Sequence, residues 1–265
     1  MTPQNTSSKQ NPRPASPRVI LKVVDVSKHF GGIKALDHCT LEIHAGEITA
    51  IIGPNGSGKT TLFDAITSLI PVDYGKIILN AIDITTCKDF EVAKHGISRT
   101  FQQVRLFKNM TIKEHLAIAL SSTDESLAKS VWDKLFHHKR EESRRMQEIL
   151  SLVHLEKPLD TPASDLSYGQ RKLLDLAIAL AKPHEILLLD EPVAGVNPKL
   201  RVEIMDIIKS LKERGETIII IEHDMNFVMG LAGTIFVLEA GTMIARGTPR
   251  EIQNNTRVLE AYLGG

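Results

Sequence analysis

Gly53-Pro54-Asn55-Gly56-Ser57-Gly58-Lys59-Thr60 has the spacing G-x-x-x-x-G-K-[ST]. Glycines at such positions let backbone amides curl around phosphate oxygens where a Cβ would collide. A helix that starts near Lys59 turns its positive end toward the same oxygens. Lys59 supplies a charge for the β- and γ-phosphates and Thr60 a hydroxyl for Mg²⁺; Thr61, next in the same turn, joins the candidate binding set. This is the pattern of a nucleoside triphosphate site. A second element, Ile186-Leu187-Leu188-Leu189-Asp190-Glu191, is an apolar strand ending in two carboxylates. Asp190 emerges at the strand end, where α/β sheets hold ligands, and can hold Mg²⁺ through water. Glu191 follows directly and can polarise an attacking water. Alone, such a pair could simply end a strand in solvent; beside a phosphate loop it reads as the other half of the site.

The elements that must position these groups follow from periodicity. Glu47 to Ile52 reads as a compact strand entering the loop, and Thr60 to Leu69 as the helix leaving it. Arg18 to Val26 and Cys39 to Ile43 alternate as exposed antiparallel strands, and Lys76 to Leu79 with Ile82 to Ile84 reads as a small hairpin. Residues 98–182 differ in kind, with helical periodicity at Thr111 to Leu120, Leu127 to Phe136, Glu141 to Leu155 and Arg171 to Ala181. Strands resume at Ile186 to Leu189 and Thr217 to Ile221, with the amphipathic helix Leu200 to Glu213 between them and a hairpin at Thr234 to Arg246. Buried strands alternating with helices imply an α/β fold with a mainly parallel sheet covered on both faces.

Composition narrows the class. The chain has 265 residues, 42% hydrophobic and 24% charged, with a formal net charge of zero, the profile of a globular protein without the basic excess of a nucleic-acid binder. Cys39 and Cys87 are far apart and lack metal-ligand spacing, so two reduced thiols are expected rather than a disulfide framework or zinc site. No apolar run approaches a membrane span. Residues 1–18 are polar and proline-rich, without the apolar stretch of a secretory signal, and read as a disordered tail.

Leu166-Ser167-Tyr168-Gly169-Gln170, before the helix at Arg171, resembles the LSGGQ signature of ABC ATPases. The resemblance covers nearly all of residues 19–265 and implies a phosphate-loop (RecA-like) core, residues 19–97 and 183–265, with an antiparallel β subdomain. Residues 98–182 would form the inserted helical subdomain. It implies ATP and Mg²⁺ as ligands and two subunits sandwiching two ATP molecules. Ser167 and Gly169 would then bind the γ-phosphate of ATP held by the opposite subunit, with Gln170 also in the nucleotide-binding set. An ordinary helix N-cap at Ser167 is the plainer alternative. By the same resemblance Phe30 stacks on adenine, Gln102 reaches Mg²⁺ and the attacking water, and His223 is the switch histidine near the γ-phosphate. Three positions depart from the common pattern: Phe30 for tyrosine, Tyr168 for the first signature glycine, and Asn197 for aspartate. Tyr168 is compatible with the site if its side chain points away from phosphate.

Thr100-Phe101-Gln102, Val104-Arg105-Leu106-Phe107, Ala194-Gly195-Val196-Asn197-Pro198-Lys199, Ile221-Glu222-His223-Asp224-Met225 and the ending Ala261-Tyr262-Leu263-Gly264 resemble ATP-binding subunits of branched-chain amino acid importers. Subunits for urea uptake or lipopolysaccharide export share parts of this pattern. The implied partners are integral membrane permease subunits, a second and different ATP-binding subunit, and indirectly a solute-binding protein, with no nucleic acid. The implied location is peripheral, on the cytoplasmic face of the cell membrane. Rival classes are a soluble ABC protein of DNA repair or translation, against which stand one phosphate loop and no sustained heptads, and a non-hydrolysing regulator, against which stand Glu191, Gln102 and His223. Leu127, Val131, Trp132, Leu135 and Phe136 form an apolar stripe before His137-His138-Lys139-Arg140. It suits either packing within the helical block or a surface near permease loops or lipid headgroups.

Overall fold

The computed structural model describes residues 18–100, 105–121 and 131–263. Its first sheet is antiparallel and contains β1 (Val19–Phe30), β2 (Ile33–His44), β4 (Tyr74–Leu79) and β5 (Ile82–Asp83) in the order β2-β1-β4-β5. The second contains β3 (Ile48–Ile52), β6 (Ile97–Arg99), β7 (Ile186–Asp190), β8 (Ile218–Ile221), β9 (Thr234–Glu239) and β10 (Thr242–Gly247), ordered β10-β9-β3-β8-β7-β6. β6, β7, β8, β3 and β9 run parallel, and β10 closes the edge antiparallel to β9. The mainly parallel core and the antiparallel β layer expected from the sequence are both present.

Side-chain alternation along the central strands explains why they read as continuous apolar runs. Leu187 and Leu189 of β7 enter one core with Ile218 and Ile220 of β8, while Ile186 and Leu188 enter the other with Ile219 and Ile221. A strand buried on both faces needs an apolar residue at every position. The first core is covered by α3 (Ile112–Ser121), α4 (Val131–Leu152), α5 (Tyr168–Ala181) and α6 (Pro198–Glu213). The second is covered by α1 (Lys59–Ile66) and the antiparallel sheet.

Several boundaries differ from those read in the sequence. Ser98 and Arg99, expected to open the helical block, lie in β6, which pairs with β7 through Ile97–Ile186, Ser98–Leu187 and Arg99–Leu188. β6 is too short to show a period. The two helices expected before and after Lys139 are one helix, α4, because its polar stretch holds no glycine or proline to break it. The side chains of residues 131–140, and with them most of the apolar stripe, lie outside the described residues, as do Leu127 and all of the expected tail (residues 1–18) except Arg18. Short helices at α2 (Asp89–Lys94), α7 (Met225–Met229), α8 (Pro249–Gln253) and α9 (Thr256–Leu263) complete the chain.

Candidate nucleotide site

The loop between β3 and α1 is built around its glycines. Gly53 (φ 155°) has no room for a Cβ, which would strike the Leu238 carbonyl of β9, and at Gly58 (φ 101°) a Cβ would strike the Ala35 carbonyl of β2. Ser57 is buried, and its carbonyl accepts a hydrogen bond from the Gly241 amide at 3.0 Å. The loop is therefore held between the β1–β2 hairpin and the β9–β10 hairpin. α1 starts without a side-chain cap, so its first amides have no internal partner of that kind, which is the condition for an anion site at a helix N-terminus. Thr60 is exposed and Thr61 half-buried in the same turn.

Lys59 is buried, and its ammonium folds back to donate to the carbonyls of Gly53 (2.7 Å) and Pro54 (2.9 Å). Burial lowers its pKa, while the charges of Glu191 and Asp190 act in the opposite direction. β3 and β7 run parallel with β8 between them, so the acidic end of β7 and the phosphate loop lie at the same edge of the sheet.

Asp190 is 2% exposed at the end of β7. Burial raises its pKa, and Arg99, donating from Nη2 to Asp190 Oδ2 at 2.8 Å, opposes that rise. The same guanidinium donates from Nη1 to Asp64 Oδ1 of α1 at 2.6 Å, so one cation ties α1, β6 and β7 together. At Glu191 the backbone leaves the strand with φ 47°, a left-handed conformation that costs a non-glycine residue about 1–3 kcal/mol and concentrates at functional sites. The Glu191 carbonyl accepts from Lys172 Nζ at 3.1 Å, and its Oε1 stands 3.7 Å from Nδ1 of His223. Glu191 and His223 come from the ends of neighbouring strands, β7 and β8.

Phe30 ends β1 and is 49% exposed, with Lys28 Nζ 5.5 Å from its ring centroid. Gln102 lies outside the described residues. Ser167, Gly169 and Gln170 are not with the phosphate loop. They line a separate open cleft of about 990 Å³ together with Tyr168, Gly195 and Asn197. Ser167 caps α5 in a capping box: its hydroxyl accepts from the Gln170 amide at 3.3 Å, and Gln170 Oε1 accepts from the Ser167 amide at 3.0 Å. A Cβ at Gly169 would meet the tip of the Leu200 side chain of α6, so a larger residue here would need Leu200 to shift. Tyr168 donates its hydroxyl to the Ala194 carbonyl at 3.2 Å and lays its ring beside Gly195. Asn197 caps α6, accepting from the Leu200 amide at 2.9 Å.

Arg99, Lys172 and Glu222 also shape the site without a sequence signal for it. Arg99 borders one named motif and Glu222 stands inside another, but their ties to Asp64, Asp190 and Val193 span long stretches of chain.

Mg²⁺ is usually held by one or two carboxylates with substrate phosphates, not by a cage of protein ligands. Among the described residues no three His, Cys, Asp or Glu side chains gather as a metal cluster. The Thr60 hydroxyl and the Asp190 carboxylate, the latter held by Arg99, are oxygen donors of the kind a nucleotide-bound Mg²⁺ takes.

A phosphate loop on a parallel sheet, an acidic strand end facing it and a signature-type helix start on a separate cleft define an ATP-binding cassette. Residues 36–194 match the ABC transporter family, and the chain belongs to it. Residues 242–265 match a segment described as "Branched-chain amino acid ATP-binding cassette transporter". The chain is 38% identical over 245 residues to a probable branched-chain amino acid transport ATP-binding protein LivG of Archaeoglobus fulgidus, covering 92% of this chain and 95% of that one. It is 37% identical over 249 residues to the high-affinity branched-chain amino acid transport ATP-binding protein LivG of Escherichia coli, covering 92% and 98%. A crystal structure of the ADP conformation of an ATP-binding cassette of an ABC transporter superposes with a TM-score of 0.79 at 32% identity, covering 94% of this chain and all of that one.

Proposed function

We propose that this chain is the ATP-binding and ATP-hydrolysing subunit that energises uptake of branched-chain amino acids through an ABC transporter. The observation that carries the reading is the convergence of Lys59, Asp190, Glu191 and His223 at one end of the parallel sheet. ATP is the substrate. Gly53 to Thr61 cradle its phosphates with backbone amides, with Lys59 turning from the loop carbonyls toward phosphate oxygens, and Phe30 stacks on the adenine. Thr60 and Asp190, with Gln102, hold Mg²⁺, which supplies charge neutralisation at the phosphate oxygens. Glu191 orients and deprotonates the attacking water, and His223 stands beside it to contact the γ-phosphate.

Ser167, Gly169 and Gln170 serve the nucleotide of an opposing subunit. Their separation from the chain's own phosphate loop supports that assignment, since each ATP then needs two subunits to complete its site. The helical block of residues 98–182 is the part against which permease subunits press, turning closure into movement across the membrane. The chain works on the cytoplasmic face beside a second, different ATP-binding subunit, and a solute-binding protein delivers the cargo. Among the described residues no helix is long and apolar enough to cross a membrane, so the permeases provide the path.

The test is purification of the assembled complex and its reconstitution in lipid vesicles, with uptake of labelled leucine measured against urea and a sugar. ATP-dependent leucine uptake, stimulated by the loaded binding protein, is expected. Uptake of another cargo in its place would refute the substrate, and recovery of one kind of ATP-binding subunit from an active complex would refute the unlike pair.

A further inference from the structure

Glu222 directly follows β8 and has 0% exposure. Its Oε1 accepts from the amide of Val193 at 3.1 Å, and its Oε2 accepts from the amides of His223 at 3.1 Å and Asp224 at 3.4 Å. Val193 belongs to the loop that follows Glu191; His223 and Asp224 belong to the loop that follows β8. A single buried carboxylate therefore grips the backbones of the two loops that present Glu191 and His223. A buried carboxylate is expensive unless its oxygens are satisfied by donors, and here the donors are main-chain amides with no side-chain freedom of their own. Lys172, also buried, lies near enough to feel the charge of Glu222 while donating to the Glu191 carbonyl. His223 Nδ1 stands 3.8 Å from Glu222 Oε2 and 3.7 Å from Glu191 Oε1. An apolar residue here would fill the space and satisfy none of these amides.

We infer that Glu222 is a positioning residue that fastens the loop after Glu191 to the loop carrying His223, fixing the Glu191–His223 arrangement for hydrolysis. The inference rests on the hydrolytic reading of Glu191 and His223. Glu222→Gln keeps the shape but replaces one accepting oxygen by an amide nitrogen that cannot accept, so one loop loses its anchor. In the assembled transporter complex, turnover should fall about tenfold to hundredfold, while KM for ATP stays within about twofold, because the phosphate loop, Lys59 and Phe30 that hold the nucleotide are untouched. His223→Ala should cost far less in the Glu222→Gln background than in the wild type, since the two residues act as one unit.

Hydrogen exchange of the wild-type chain gives a readout independent of any variant's folding: the Val193 and His223 amides should be protected together, and Glu222→Gln should release one of the two while β7 stays protected. Fast exchange at either amide in the wild type overturns the inference. So does normal turnover in a folded Glu222→Gln, a change in KM with kcat unaltered, or simple additivity with His223→Ala. If His223→Ala alone retains full turnover, the hydrolytic reading of His223 falls and this role falls with it; if His223→Ala is slow and the two losses are additive, only the positioning role fails.

Discussion

Replacing Lys59 by alanine tests the phosphate loop at the point where its chemistry and its geometry meet. The Lys59 ammonium already makes charge-assisted hydrogen bonds to the Gly53 and Pro54 carbonyls at 2.7 and 2.9 Å. Nucleotide binding must exchange these for phosphate oxygens, so only the difference between the two sets of bonds contributes to affinity. Carbonyls are dipoles whereas phosphate oxygens carry charge, so the exchange adds a Coulomb attraction of about 1–4 kcal/mol at a 4 Å separation for effective dielectric constants between 80 and 20. Losing that difference should weaken ATP binding about tenfold to hundredfold, at about 1.4 kcal/mol per factor of ten. Without nucleotide the variant loses the Lys59 hydrogen bonds to Gly53, Pro54 and Ser57 but also loses a buried ammonium, and these effects oppose each other. The contrast appears on adding ligand: at a concentration about one hundred times the wild-type Kd, the wild type gains about 2.7 kcal/mol of stability, whereas a variant binding a hundredfold more weakly gains about 0.4 kcal/mol. Titration calorimetry with ATP and thermal unfolding with and without nucleotide measure both quantities. Equal affinity within about twofold would refute the assignment of Lys59 to the phosphates.

Three further outcomes are expected. Glu191→Gln should keep ATP binding while slowing steady-state hydrolysis by about a hundredfold or more, the scale of a lost general base; near-normal phosphate release from the purified complex would remove Glu191 from that role. Ser167→Arg should leave ATP binding to the isolated subunit intact yet block dimer closure and hydrolysis, and an equal loss of affinity in the monomer would put Ser167 in its own subunit's pocket. Buried His184 would have a lowered pKa from burial alone, but its ion pair with Glu216 at 3.0 Å and the Lys182 carbonyl raise it overall. A raised folded-state pKa contributes stability that is full below the ordinary histidine value of about 6.5 and disappears as pH rises through the folded value. The stability advantage over His184→Gln, read from urea midpoints, should therefore shrink on going from acid to alkaline pH across that range, and a pH-independent difference would contradict it.

The phosphate loop was legible because its whole pattern lies within consecutive residues, with an apolar strand before it and a helix after it. β7 and β8 were legible for the same reason: strands buried on two faces carry uninterrupted apolar runs. What the sequence did not reveal depends on partners far along the chain. Arg99 acquires its meaning from Asp64 and Asp190, and Glu222 from Val193; no local period encodes such pairings. β6 is three residues long and was absorbed into the helical block. Gly169 and Tyr168 show a subtler limit. Both stand in a motif read through its relation to phosphate, yet their immediate surroundings are Leu200 and the Ala194-Gly195 backbone, packing that only the folded chain displays. The Thr248 and Glu251 capping box that starts α8 was readable in principle, since T-x-x-E is a recognised helix start.

The position of β3 has a consequence for how the chain is made. Ile48–Ile52 pairs with β8 and β9, which lie in the last part of the sequence. At about 5–20 residues per second, a ribosome needs roughly 10–30 s to add the roughly 170 residues that separate β3 from its first neighbour. Throughout that interval an apolar strand with two unpaired edges waits in the emerging chain, a form prone to mispairing and to capture by chaperones. The glycine-rich loop is complete in sequence from Thr60 onward, but the Leu238 backbone packed against Gly53 and the Gly241 amide that holds Ser57 arrive last. A chain halted before Gly241 therefore contains every residue of the phosphate loop and lacks the amide that holds Ser57.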